Sequence, residues 1–197
     1  MKSSAFLIVV LLLFFILQIG CGTGDYVERD DQQGQPQPVS GAAGEVMYII
    51  PEEWERTPVS SQMRKDQITL PGIEGGPAGE LAVFFFPGTG GSVQANLDRW
   101  YGQFTQPDGS STKEKAEVSK KNVNGLPVTI VSVNGTFSAG SGSMMGGPAH
   151  DLPGYKLLAA IVETSGGPWF FKATGPEKTI DYWLPSFDEF VNTFKIN

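Results

Sequence analysis

The sequence GELAVFFFP at residues 79–87 places six consecutive apolar residues, Leu81 to Phe86, between a glycine and a proline. An uninterrupted apolar run of this length is typical of a strand that is buried on both faces of its sheet. Gly79 and Pro87 mark its ends, because both residue types interrupt regular structure. We therefore predict a central strand here, in a sheet that is covered on both sides.

Further strands are predicted before and after this run, at residues 46–50, 67–71, 117–123, 126–137, 155–163 and 169–174. Asn124-Gly125 separates two of these segments, and this dipeptide favours the tight turn of a β-hairpin. A second Asn-Gly pair, at residues 134–135, lies inside a strand segment and indicates a β-bulge. The pattern therefore predicts hairpins in a mainly antiparallel sheet.

Two segments have helical periodicity. Ser92 can cap a helix whose apolar positions are Val93, Leu97, Trp100 and Phe104. The C-terminal segment keeps a helical spacing as well, but Pro185 must kink or split it. Strands without regular βαβ alternation, together with two or three helices, predict an α+β fold with a mainly antiparallel sheet.

The first residues have the plan of a secretory signal. Lys2 precedes an apolar segment, residues 5–17, that contains no charged or polar group, and Gly20 stands just before Cys21. A membrane-spanning helix needs about 20 apolar residues, so this segment is short for an anchor. An ordinary signal that is cut elsewhere and an uncleaved anchor are the alternatives.

Cys21 is the only cysteine, which excludes an intrachain disulfide. Ile19, Gly20 and Cys21 resemble the lipobox of bacterial lipoproteins, although Gln18 stands where that motif usually has leucine. The resemblance implies that Cys21 carries lipid and that the protein is anchored to a membrane, since two or three acyl chains hold a protein firmly. Gly22 in place of aspartate favours the outer membrane of a Gram-negative cell, with the domain facing the periplasm or the exterior.

The predicted organisation is a signal peptide at residues 1–20, a lipidated cysteine and flexible tether at 21–44, and a single domain at 45–197. The tether is polar and rich in glycine and proline, so it cannot bury enough surface to fold. Removal of Lys2 with the signal changes the net charge from −7 to −8. Such an acidic chain is repelled by phosphates, so nucleic acid is excluded as a partner and membrane attachment must come from the lipid.

A set of turn glycines, strand segments and tryptophans carries a family resemblance, at residues 50–51, 54, 60–64, 79–81, 86–88, 90–91, 96, 99–100, 160–163, 167–172 and 175–176. This set resembles a group of uncharacterised bacterial lipoproteins and secreted proteins whose domain is similar to the PsbP-like α/β/α sandwich. The resemblance covers about residues 46–195. It implies that fold and a non-enzymatic accessory or binding role, and it supplies no catalytic residue.

Two loops contain residue types that could carry chemistry. The turn at residues 87–92 is glycine-rich, but it lacks the Lys-Ser/Thr pair of a P-loop, and we interpret it as a tight connection. The Gly/Ser-rich segment 138–153 contains Met144, Met145 and His150, which are ligand types that suit Cu(I). The same segment could align His150 with Asp151 and a serine such as Ser143, as a hydrolase would require.

We predict a membrane-tethered envelope lipoprotein that acts as a non-catalytic binding or accessory module and uses no cofactor. An envelope protein or polymer is the expected partner, with Tyr101 and Phe170 as candidate exposed contacts. Copper handling through the Met/His loop is the alternative, followed by hydrolysis centred on His150.

Overall fold

The computed structural model describes residues 44–88, 90–139 and 150–197. The predicted signal peptide and tether lie outside these residues, except for Gly44. Among the described residues, no helix combines the length and the apolar character needed to cross a membrane.

The described residues form ten strands: β1 (Val46–Met47), β2 (Glu55–Arg56), β3 (Arg64–Leu70), β4 (Gly79–Phe85), β5 (Phe104–Thr105), β6 (Glu117–Val123), β7 (Leu126–Ala139), β8 (His150–Val162), β9 (Trp169–Pro176) and β10 (Lys195–Ile196). They also form four helices: α1 (Val93–Tyr101), α2 (Thr112–Lys115), α3 (Glu177–Tyr182) and α4 (Leu184–Asn192). Eight strands make one antiparallel sheet in the order β2-β3-β4-β9-β8-β7-β5, and β6 also pairs with β7. β1 and β10 form a separate two-stranded ladder.

Both faces of the main sheet are covered, because successive side chains of a strand project to opposite faces. One core lies between the sheet and the C-terminal helices and contains Leu81, Val83 and Phe171. The other lies between the sheet and α1 and includes Phe170, with Phe84 packed against it. The predicted α+β class, with a mainly antiparallel sheet and a doubly covered central strand, is confirmed.

Several local predictions are also confirmed. Asn124 and Gly125 have positive φ angles of 51° and 86° and join β6 to β7 in a tight hairpin. The register between β7 and β8 shifts after Gly135, at the predicted bulge. Ser92 accepts a hydrogen bond at Oγ from the Ala95 backbone N–H at 3.2 Å, which caps α1. Pro185 lies in the first turn of α4, where the C-terminal helical segment is split.

Three predictions about the bounds or the number of secondary-structure elements require correction. The strand predicted at 46–50 is limited to β1, because its pairing with β10 covers only two residues. Part of the predicted loop 138–153 is strand, since Ser138 and Ala139 pair with Asp151 and His150. The described chain has four helices rather than two or three, because α2 is an additional single turn and the C-terminal segment divides into α3 and α4.

The aromatic core under the C-terminal helices should dominate stability. Phe171 is fully buried, and its ring stacks on Phe194 at a centroid distance of 4.3 Å. We expect Phe171→Ala to lower the free energy of unfolding by about 3–5 kcal/mol, because it removes a large buried ring and leaves a cavity. Urea unfolding followed by tryptophan fluorescence measures this loss. Met63→Ala is the control, since Met63 is 63% exposed and its truncation should change stability by less than about 0.5 kcal/mol. Equal losses for the two variants would contradict the assignment.

Candidate functional site

A recess of about 270 Å³ opens on the face of the sheet that carries α1. It is lined by Arg64, Glu80, Ala82, Phe84, Phe137, Lys172 and Thr174, and we call it the Lys172 recess. Strand alternation brings most of this lining together, because Ala82 pairs with Lys172 and Glu80 pairs with Thr174 across β4 and β9. The site is therefore built mainly on rigid strands rather than on loops.

Lys172 is the central charge of this recess. Its Nζ donates a hydrogen bond to Gln103 Oε1 at 2.5 Å and lies 5.5 Å from the centroid of the Phe137 ring, within cation–π range. Burial lowers the pKa of Lys172 to about 8, and the positive charges of Arg99 and Arg64 act in the same direction, while Glu80 opposes them. Within the described parts of the chain, no carboxylate oxygen lies within 4.0 Å of its ammonium group.

The one carboxylate in the lining is already paired. Glu80 Oε1 accepts a hydrogen bond from Arg64 Nη1 at 2.6 Å, and the same nitrogen donates to Gln67 Oε1 at 2.9 Å. The Arg64 guanidinium also lies 6.0 Å from the centroid of the Phe84 ring. Two cations and one carboxylate give the lining a net positive charge, although the whole chain carries −7.

The connection from β4 to α1 is held by Asn96, whose side chain is only 1% exposed. Its amide donates to the carbonyl oxygens of Gly90 at 2.7 Å and Ser92 at 2.8 Å, and its Oδ1 accepts from Arg99. A Cβ on Gly90 would lie 2.2 Å from Pro168 Cγ, so only glycine fits there. These contacts support the interpretation of the turn as a tight connection, and they also orient Arg99.

The residues proposed for copper binding or hydrolysis are only partly described. Met144, Met145 and Ser143 lie outside the described residues, as does Cys21. His150 is exposed at the first position of β8. Across the ranges that the structure covers, no group of three or more His, Cys, Asp or Glu side chains could hold a metal ion. Copper handling by Met144, Met145 and His150 stays a prediction.

The hydrolase alternative gains no support from β8. His150 and Asp151 are successive residues of this strand, which directs their side chains to opposite faces. Asp151 Oδ1 accepts a hydrogen bond from Ser138 Oγ at 2.7 Å. The arrangement therefore does not align the imidazole with this carboxylate as a catalytic triad requires.

The prediction that Tyr101 and Phe170 are exposed partner contacts is corrected by the structure. Tyr101 is 7% exposed and Phe170 is 2% exposed. Phe170 lies beneath α1, with its ring centroid 6.0 Å from that of Trp100 in an edge-to-face arrangement. Both side chains belong to the core between the sheet and α1, because that face of the sheet is covered by the helix.

Sequence reasoning did not identify Lys172 as a site residue, although it included the surrounding segment in the family resemblance. The available signal was a single charge within the otherwise uncharged segment 169–174. Arg64 and Glu80 gave no comparable signal, because charged residues near strand ends are common on protein surfaces.

The lowered pKa of Lys172 makes stability depend on pH. The folded chain binds this proton less tightly than the unfolded chain, whose lysine pKa is 10.5, so the penalty is complete below pH 8 and disappears as the pH rises to 10.5. We expect Lys172→Met to stabilise the fold at pH 7, because it removes this penalty. The gain should be about 2 kcal/mol, since partial exposure of the lysine side chain to water reduces the penalty. Chemical unfolding between pH 7 and 10.5 measures how this gain declines. Lys172→Arg is the control, since a guanidinium keeps its charge and should show no such decline; a gain that does not depend on pH would contradict the prediction.

The chain matches no protein-family model and no curated protein. Nine chains among the solved structures are similar to it, and the following two are examples. A protein of unknown function from Pseudomonas aeruginosa shares 11% identity over 78% of this chain and 99% of its own, with a TM-score of 0.46. Cyanobacterial PsbP from Synechocystis sp. PCC 6803 shares 14% identity over 84% of this chain and 99% of its own, with a TM-score of 0.43.

Proposed function

We propose that this protein is a membrane-tethered lipoprotein of the cell envelope that acts as a non-catalytic binding or accessory module through the Lys172 recess. The observation that carries the binding role is the ammonium group of Lys172, which is sheltered in a recess and has no carboxylate partner among the described residues. A sheltered charge is stabilised when an opposite charge approaches it. The recess is therefore suited to an anionic group of a ligand or partner.

Binding fits the recess better than acid–base catalysis. Acid–base catalysis by Lys172 would need a neighbouring group that takes up or returns its proton. Gln103 accepts a hydrogen bond from the ammonium group, but neither its amide nor the Phe137 ring is basic enough to remove the proton. The Glu80 carboxylate is paired with Arg64. These neighbours provide no partner for proton transfer, so the ammonium group is better suited to binding an anion than to acid–base chemistry.

The proposal of a membrane tether is based on the sequence of residues 1–44. The signal-like segment 1–20 would be removed, Cys21 would carry the lipid, and residues 22–44 would form a spacer with an average reach of roughly 25 Å. An acidic domain is repelled by anionic lipid headgroups, so the lipid rather than a basic surface would hold it at the membrane. This arrangement would present the recess to the periplasm or the cell exterior.

The anchor is tested by mass spectrometry of the full-length protein extracted gently from its own membrane. We expect a polypeptide that begins at Cys21 and carries the mass of diacylglycerol, because the lipobox resemblance implies lipid on this cysteine and cleavage just before it. Cys21→Ser is the control and should lose both the lipid and the membrane association. A wild-type chain that begins elsewhere without lipid would overturn the lipoprotein assignment.

The binding role is tested on the same extracted protein under native conditions. We expect the wild-type protein to retain a bound species, or a cross-linked partner, that Lys172→Met loses and that Lys65→Met keeps. Lys65 is the matched control because it is an exposed lysine on β3 outside the recess. Identical bound species in all three proteins would show that the recess is not the binding site.

A further inference from the structure

The charges that line the Lys172 recess leave one positive charge unbalanced. Arg64 and Glu80 neutralise each other across 2.6 Å, whereas Lys172 contacts a neutral amide and an aromatic ring. An ammonium group has three N–H donors, and only one of them is used by Gln103. The remaining donors can serve one negatively charged group.

The single unbalanced charge limits the charge of that group. Arg64 and Glu80 both line the recess and neutralise each other, so Lys172 supplies one net positive charge, which one negative charge balances. A phosphate monoester carries close to two negative charges at neutral pH, whereas a carboxylate carries one. The balance in the recess therefore favours a carboxylate over a phosphate.

The remaining walls of the recess are mainly apolar, with Thr174 as the one uncharged polar residue in the lining. Ala82, Phe84 and Phe137 contribute a methyl group and two aromatic rings, and both rings already lie beside cations. Burial of apolar surface against such rings contributes affinity that does not depend on charge. A volume of about 270 Å³ lies just below the range of pockets for drug-sized ligands, which limits the occupant to a small molecule or a single side group.

We propose that the Lys172 recess binds a small organic carboxylate, with the carboxylate on the Lys172 ammonium and the apolar body of the ligand against Phe84 and Phe137. This inference deepens the proposed function and rests on it, because it specifies the class of anion that the binding module takes.

The experiment is calorimetric titration of the full-length protein in detergent with three probes: benzoate, the neutral benzamide, and inorganic phosphate. We expect benzoate to bind with at least about tenfold higher affinity than benzamide or phosphate, which corresponds to about 1.4 kcal/mol. Lys172→Met should lower the affinity for benzoate by at least about tenfold, because it removes the charge that pairs with the carboxylate. Lys65→Met should leave the affinity unchanged.

A pH series separates a charge contact from a structural effect of the substitution. The affinity of the wild-type protein for benzoate should fall as the pH rises above about 8, where free Lys172 loses its proton. Lys172→Arg should retain benzoate binding at pH 9.5, because arginine remains charged there. Thermal melting of each variant establishes that it is folded.

Each contrary result overturns the inference in a defined way. Equal affinities for benzoate and benzamide would mean that the recess recognises only the ring, and tighter binding of phosphate would refute the argument from the single unbalanced charge of Lys172. Unchanged affinity of Lys172→Met would place the carboxylate elsewhere. If none of the probes binds while the protein from native membranes still carries a species that depends on Lys172, the carboxylate inference fails and the proposed function stands.

Discussion

Phe170 and Phe171 occupy successive positions of β9, and their rings enter different cores on opposite faces of the sheet. This double burial is the constraint on which the rest of the fold depends. A strand that is apolar on both faces needs a cover on each side, because exposed aromatic surface is costly in water. Helix α1 provides one cover, and α3 with α4 provides the other. The order of the central strands, β4-β9-β8, keeps the most apolar segments away from the edges of the sheet.

The same alternation creates the Lys172 recess. Lys172 follows Phe171 and therefore projects to the face that carries α1, beside Phe84 of the neighbouring strand. On that face it meets Gln103, which follows α1, and Phe137, near the end of β7. A charge at this position can be neither fully hydrated nor fully excluded from water, which is why its pKa falls to about 8. The site is thus a consequence of placing one cation within a two-sided apolar strand.

Two buried polar side chains, Asn96 and Asp66, act as local clamps: each holds neighbouring elements together through several hydrogen bonds. Asn96 bonds to the Gly90 and Ser92 carbonyls, which sets the start of α1 and directs Arg99. On the other face, Asp66 accepts hydrogen bonds from Tyr48 at 2.9 Å and from Arg56, and it ties the segment after β1 to the sheet. Burial and the hydrogen bond to Asp66 raise the pKa of Tyr48 above its usual range, which keeps its hydroxyl a donor. Both clamps rest on buried polar side chains whose hydrogen bonds are satisfied.

The sequence by itself determined the features that depend on neighbouring residues. The apolar run 79–87, the Asn124-Gly125 turn, the Ser92 cap and the break at Pro185 act through local sterics and local hydrogen bonds, so their patterns are visible in the chain. Only the tertiary structure decided that Ala82 pairs with Lys172. The periodicity of a strand determines which of its side chains share a face, but it does not specify which distant segment becomes its neighbour, because that choice depends on the packing of the whole sheet. The burial of Tyr101 and Phe170 depends in the same way on how α1 covers the sheet. The tertiary structure alone also brings Lys172 close to Glu80, Gln103 and Phe137.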